Sequence, residues 1–205
     1  STTKVTYIGH NSAITSLALN YDSFYFVSSS CDGSVRLWCV RSGTCLAVFK
    51  AHIKSVWKVT LAPKGYYFAS GGADGLLFLW ATNKATPLKK FASHSSEVSC
   101  LKFSKNMIYL LSASYDKSII VWNIDEATET RKFYTEFVVL ALEINEVGEI
   151  LIAGDSEGFV TVWNVDRAYR LNAIDFTLGN PSGSIVRGID LSFDESVLTV
   201  YGQNK

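Results

Sequence analysis

Serine, histidine and aspartate are the residues with which hydrolases build a nucleophile, and this 205-residue chain sets them in one register three times. Ser28 goes with His10 and Asp32, Ser70 with His52 and Asp74, and Ser112 with His94 and Asp116. In nucleophilic catalysis the histidine takes the serine proton while the acid orients the imidazole. The competing explanation is a structural hydrogen-bond network, and the sequence favours it. An enzyme has little use for three identical active sites in adjacent units, and each trio is joined by a tryptophan: Trp38, Trp80 or Trp122. No G-x-S-x-G elbow is present, and the serines sit inside apolar stretches instead of at exposed turns.

Other chemistries find less. Asp74-Gly75 beside Gly71-Gly72 has the look of a phosphate-cradling loop, but no G-K-[ST] follows and no helix is predicted there. The four cysteines (Cys31, Cys39, Cys45, Cys100) contain no C-x-x-C pair and only three histidines exist, so no metal site is expected. Cys39 and Cys100 lie within apolar runs, and all four thiols are read as reduced. Nineteen basic residues balance nineteen acidic ones, which gives no footprint for direct nucleic-acid or membrane binding. No apolar run approaches the length of a membrane span, and STTKVTYIGH has no signal-peptide core. The expectation is a soluble intracellular protein with no catalytic residue, cofactor, metal or small-molecule substrate.

A repeat dictates the elements that position the trios. The three histidines are 42 residues apart, and the three aspartates and three serines keep that step. Trp38, Trp80 and Trp122 share it, and Trp163 follows 41 residues later. A fixed period of this size marks an array of supersecondary units. After each histidine comes an apolar stretch (AITSLAL, SVWKVTL, EVSCLKF), then a second (FYFVSSS, YYFASGG, IYLLSAS). A tight turn carries the aspartate (CDGS, ADGL, YDKS), a third stretch ends on the tryptophan (VRLW, LFLW, IIVW), and a fourth leads to the next histidine. Short β-branched and aromatic runs bounded by Gly, Asp, Asn and Ser predict strands, and Asp-Gly predicts hairpins because both residues tolerate positive φ. Nothing carries sustained helical periodicity.

The fourth unit departs from the pattern: Glu157 takes the aspartate position, Ala153 the serine position, and the loop YTE has no histidine. A fifth unit runs from SIVRGIDLSF to VYGQNK, with Val200 and Asn204 at the serine and aspartate positions. The sequence thus predicts whole units at 10–51, 52–93, 94–134 and 135–177 and the first two strands of another at 185–205. KVTYIG within 1–9 is predicted to be the outer strand of a preceding unit, and LGNPSGS (178–184) a surface loop.

Four strands per unit, with His, Asp and Trp in register, resembles the blade of the WD-repeat family. The resemblance implies an all-β propeller whose ring closure protects strand edges, with seven blades in the full protein. It also implies that His10, Ser28, Asp32 and Trp38, then His52, Ser70, Asp74 and Trp80, then His94, Ser112, Asp116 and Trp122, form buried networks, each aspartate at its hairpin turn facing its histidine. Between His52 and Lys117 the likeness is narrower. The segments VW, GYYFAS, PLKKFASH and VSCLKF resemble the WD-repeat domain of the TBP-associated factor five family, scaffold subunits of the general transcription factor TFIID. This chain is a divergent case: Cys39, Ala81, Asn123 and Asn164 follow the tryptophans where aspartate is usual, and arginine two before the tryptophan remains only as Arg36. The resemblance implies a nuclear, non-catalytic scaffold that packs against histone-fold subunits in transcription initiation. A ubiquitin-ligase substrate receptor or a chromatin or peptide reader stays open as an alternative, favoured by acidic pockets or an aromatic cage. Lys54 and Trp57 are the candidate partner contacts, since Trp57 occupies the place that Thr15 and Ser99 hold in sister units.

Overall fold

Alternating apolar positions with a glycine-bearing turn every few residues favour short antiparallel strands, and short strands are what the chain forms. The structure, a computed structural model, describes residues 4–176, 184–192 and 194–204. The chain divides into two compact units, Ser1–Val98 and Ser99–Lys205.

The first unit holds two four-stranded antiparallel sheets. One is β1 (Ile14–Leu19), β2 (Tyr25–Ser30), β3 (Ser34–Cys39) and β4 (Cys45–Lys50); the other is β5 (Val56–Leu61), β6 (Tyr67–Gly72), β7 (Leu76–Ala81) and β8 (Lys89–Ala92). In both, spatial order follows chain order. They pack face to face: Val27, Val35, Leu37 and Phe49 of the first sheet form one core with Val56, Val59, Phe68, Phe78 and Trp80 of the second. Phe49 meets Phe68 edge-on at 4.7 Å, and Phe68 stacks on Trp80 at 5.9 Å. The tryptophan closing each third strand lies opposite a phenylalanine of the second, Phe26 with Trp38 and Phe68 with Trp80.

The opposite face of the first sheet is open. Ile14, Leu17 and Leu19 are 56, 62 and 58% exposed, whereas their equivalents Val56 and Val59, covered by the neighbouring sheet, are 0 and 6% exposed. Residues 4–10 form no strand. An outer strand there needs a neighbouring sheet to join, because a strand exists only through its ladder.

The second unit repeats the design. β9 (Val98–Phe103), β10 (Tyr109–Ser114), β11 (Ser118–Asn123) and β12 (Thr128–Tyr134) form one sheet, and β13 (Val139–Ile144), β14 (Ile150–Asp155), β15 (Phe159–Asn164) and β16 (Tyr169–Asp175) another. β17 (Ser184–Leu191) pairs with β18 (Leu198–Asn204) alone. Leu111, Ile119 and Phe133 pack on Val139, Leu151 and Trp163, and Ala141, Ile152 and Val160 pack on Val186 and Ile189. Of the predicted loop 178–184, residues 178–183 lie outside the described residues, and Ser184 opens β17.

Two local features fix the site. The turn after the second strand needs positive φ, which Gly33 (+80°), Gly75 (+73°) and Gly158 (+95°) supply; in the third sheet Lys117 adopts it at +61°. The first strand of the sheets carries a β-bulge, falling on Thr15, Trp57, Leu140 and Arg187. A bulge re-aims one side chain out of the alternation of the strand.

Candidate functional site

In the first sheet the trio and its tryptophan form one continuous chain of hydrogen bonds. The Trp38 indole donates to Ser28 Oγ at 2.8 Å, Ser28 Oγ lies 2.7 Å from His10 Nε2, and His10 Nδ1 lies 2.9 Å from Asp32 Oδ2. Asp32 also accepts the Asn11 amide at 3.0 Å, the Ser34 amide at 2.9 Å and the Ser34 hydroxyl at 2.6 Å. The second sheet repeats it: Trp80 to Ser70 at 2.9 Å, Ser70 to His52 at 2.8 Å, and His52 Nδ1 to both Asp74 oxygens at 3.0 Å. Asp74 accepts the Ile53 and Leu76 amides. In the second unit Trp122 donates to Ser112 at 2.9 Å, and Asp116 Oδ1 accepts the Ser118 amide at 3.0 Å and the Ser118 hydroxyl at 2.6 Å. His94 belongs to the first unit.

Proton direction follows from the partners. The serine oxygen accepts the indole N–H, so its own proton points at histidine Nε2, and Nδ1–H faces the carboxylate. That is the polarity of a hydrolase triad, but these serines are buried and shared with an indole. Ser28 and Ser70 are 1 and 0% exposed, and a lone pair of each oxygen is held by an indole. A nucleophile must reach its substrate, and Ser70 is buried within its own sheet. The trio instead ties the loop before the first strand to the turn after the second, across 22 residues of sequence.

The electrostatics agree. Burial works against charge on Asp32, but the Ser34 hydroxyl, the Asn11 amide and His10 outweigh it and hold the carboxyl well below the usual carboxylate range. Burial pushes the His52 imidazole down, against the opposing pull of Asp74. Folding therefore favours neutral His52, whose unfolded value is about 6.5. The stability tied to that neutral ring is present above this value and is lost as pH falls below it. Urea midpoints measured from pH 8 to pH 5 are expected to fall more steeply for the native chain than for His52→Gln; parallel curves would refute the assignment.

Among the described residues no cluster of three or more His, Cys, Asp or Glu is placed to hold a metal ion, and Cys31, Cys39 and Cys45 carry free thiols. Lys54 is exposed on the loop before β5, and Trp57 sits half-buried on the β5 bulge. At the equivalent places Thr15 donates its hydroxyl to the Val56 carbonyl and Ser99 to the Val139 carbonyl, both at 2.5 Å. Trp57 Nε1 is buried without any partner.

Three stretches, residues 1–39, 43–81 and 85–123, match the model of the WD domain, G-beta repeat. The chain belongs to the WD40 family. Its four-stranded antiparallel sheets are WD40 blades, and the fold is that of a WD-repeat β-propeller. WD40 domains mediate protein–protein interactions and are generally non-catalytic. Striatin of Homo sapiens and striatin of Mus musculus are each 45% identical to this chain over 47 residues, which is 23% of the chain. That stretch spans only 6% of the length of either striatin, little more than one blade.

The fourth blade holds what the sequence did not reveal. Glu157 stands at the aspartate position, but the carboxylate capping the turn is Asp155, whose Oδ1 accepts the Glu157 and Phe159 amides at 2.9 Å each. With Ala153 at the serine position, the Trp163 indole donates to Thr161 Oγ1 at 2.9 Å. Glu143, 4% exposed, pairs with Lys102 at 2.6 Å across β13 and β9. An aspartate at the place of Ser30, Gly72 and Ser114 was the available signal for Asp155.

Proposed function

We propose that this chain is a non-catalytic protein-interaction scaffold in the nucleus, a subunit of a TFIID-type transcription complex that assembles with histone-fold subunits. The observation that carries the scaffold reading is the fate of the Ser–His–Asp trios, whose reactive atoms are spent in Trp–Ser–His–Asp hydrogen bonds inside the first two blades. The finer reading rests on sequence. The GYYFAS and PLKKFASH segments lie within the 65–94 stretch and resemble the TBP-associated factor five family beyond what a WD40 repeat requires. The balanced charge supports an indirect relation to promoter DNA.

Purification of the full-length protein from its own cells tests both levels. Co-elution with histone-fold proteins and TATA-binding protein is the expected result. Co-elution with a cullin-type ligase would replace the TFIID assignment with a substrate-receptor role. Recovery as a lone monomer would overturn the scaffold reading.

A further inference from the structure

In the first two blades the space between the third strand and the loop before the first strand is filled by an imidazole ring. His52 packs on Phe78 at 4.8 Å, with its nitrogens on Asp74 and Ser70. In the fourth blade Thr135 replaces that histidine, and its hydroxyl turns back to the Phe137 and Lys117 carbonyls. Beside Thr135 lies a cavity of about 570 Å³, bordered by Thr135, Phe137, Asp155, Phe159, Thr161 and Trp163. That volume lies within the range of small-ligand pockets.

The polar group in this cavity is unusual for its position. Asp155 is 6% exposed, and its place in the strand is that of Gly72 in the second blade. A Cβ added to Gly72 would lie 2.6 Å from His52 Nδ1 and 2.8 Å from Asp74 Oδ1. Position 155 therefore projects at the spot where the sister blades join ring nitrogen to carboxylate. The fourth blade keeps the carboxylate and lacks the nitrogen. Burial pushes the Asp155 carboxyl up, against the Phe159, Glu157 and Gly158 amides that favour its charge. Phe137 and Phe159 stack at 5.8 Å with rings 8° apart, offering flat π-faces beside the acid. Arg170 and Glu136 also border the cavity, and Arg170 forms no ion pair with Asp155 or Glu136 among the described residues.

We propose that this cavity receives a planar cationic side chain, the guanidinium of an arginine on a partner protein, with Asp155 as its carboxylate and Phe137, Phe159 and Trp163 as aromatic walls. A guanidinium is flat like the imidazole of the sister blades, carries N–H donors for the carboxylate, and stacks on aromatic faces. The source of the arginine rests on the scaffold reading above, whereas the site rests on the cavity alone.

The probe is N-acetyl-arginine methylamide, titrated into the full chain while the Trp163 indole N–H resonance is followed by NMR, assigned with Trp163→Phe. A saturable shift is expected. The citrulline analogue, equal in shape but neutral, should bind about tenfold more weakly or worse. Asp155→Asn should respond to arginine only as the native chain responds to citrulline; the amide oxygen can still accept both turn amides, so the turn is retained. Equal binding of the two probes to the native chain, or no saturable shift, overturns the site whether or not the variant folds. Because no partner is present, failure here leaves the co-purification result standing, and the reverse holds too.

Discussion

Replacing Ser70 by alanine is expected to destabilise the chain by about 2–4 kcal/mol, a large share of the roughly 5–15 kcal/mol typical of a domain. The hydroxyl is the hinge of the second-blade network: it accepts the Trp80 indole at 2.9 Å and meets His52 Nε2 at 2.8 Å. Ser70 and Trp80 are 0% exposed and the His52 side chain 1%, so neither stranded partner can turn to water. Each buried orphan costs about 1–3 kcal/mol. The fourth blade supplies the contrast. Thr161→Ala removes one indole acceptor and a long bond to the Ala153 carbonyl at a half-buried site, and about 1 kcal/mol is expected. Urea unfolding of both variants measures the difference. A cycle with Trp80→Phe sharpens it, because once the indole N–H is gone the loss of Ser70 strands only His52. A Ser70→Ala variant within about 0.5 kcal/mol of the native chain would mean that packing, not the network, holds the blade.

The sequence made the blades legible because strand period, turn chemistry and network were locked to one step. Asp32 and Asp74 cap turns whose positive φ falls on Gly33 and Gly75, so the same residues that signal the hairpin also hold the histidine. The fourth blade was legible only as a departure. Residue-by-residue register put Glu157 at the aspartate position, but geometry needs a carboxylate near the turn, not at one residue number, and Asp155 reaches the Phe159 amide from two positions earlier. A cavity cannot be read from a lost side chain, since neighbours can collapse or leave the space open. Nor does alternation reveal the bulge that re-aims Trp57, because the extra residue belongs to the ladder of β5 with β6 and not to any local pattern.

Trp57→Ser is expected to weaken the binding of co-purifying partners about 30-fold, near 2 kcal/mol, while leaving the unfolding midpoint unchanged or higher. The two effects have different origins. In the folded chain the Trp57 indole N–H is buried with no acceptor, which costs about 1–3 kcal/mol and offsets much of the apolar burial of a half-exposed ring. Serine restores the residue class of the equivalent positions in the first and third blades, Thr15 and Ser99, where a hydroxyl donates to a neighbouring carbonyl at 2.5 Å. A large aromatic with an unused donor, where the first and third blades hold the satisfied hydroxyls of Thr15 and Ser99, suits an anchor whose hydrogen bond is completed by a partner. Lys54, exposed on the preceding loop, belongs to the rim of such a contact. Lys54→Ala should therefore alter association rate and its salt dependence more than residence time. Measured against the purified complex, full partner affinity in Trp57→Ser combined with a loss of more than about 2 kcal/mol of stability would make Trp57 a filler of the blade and not a contact.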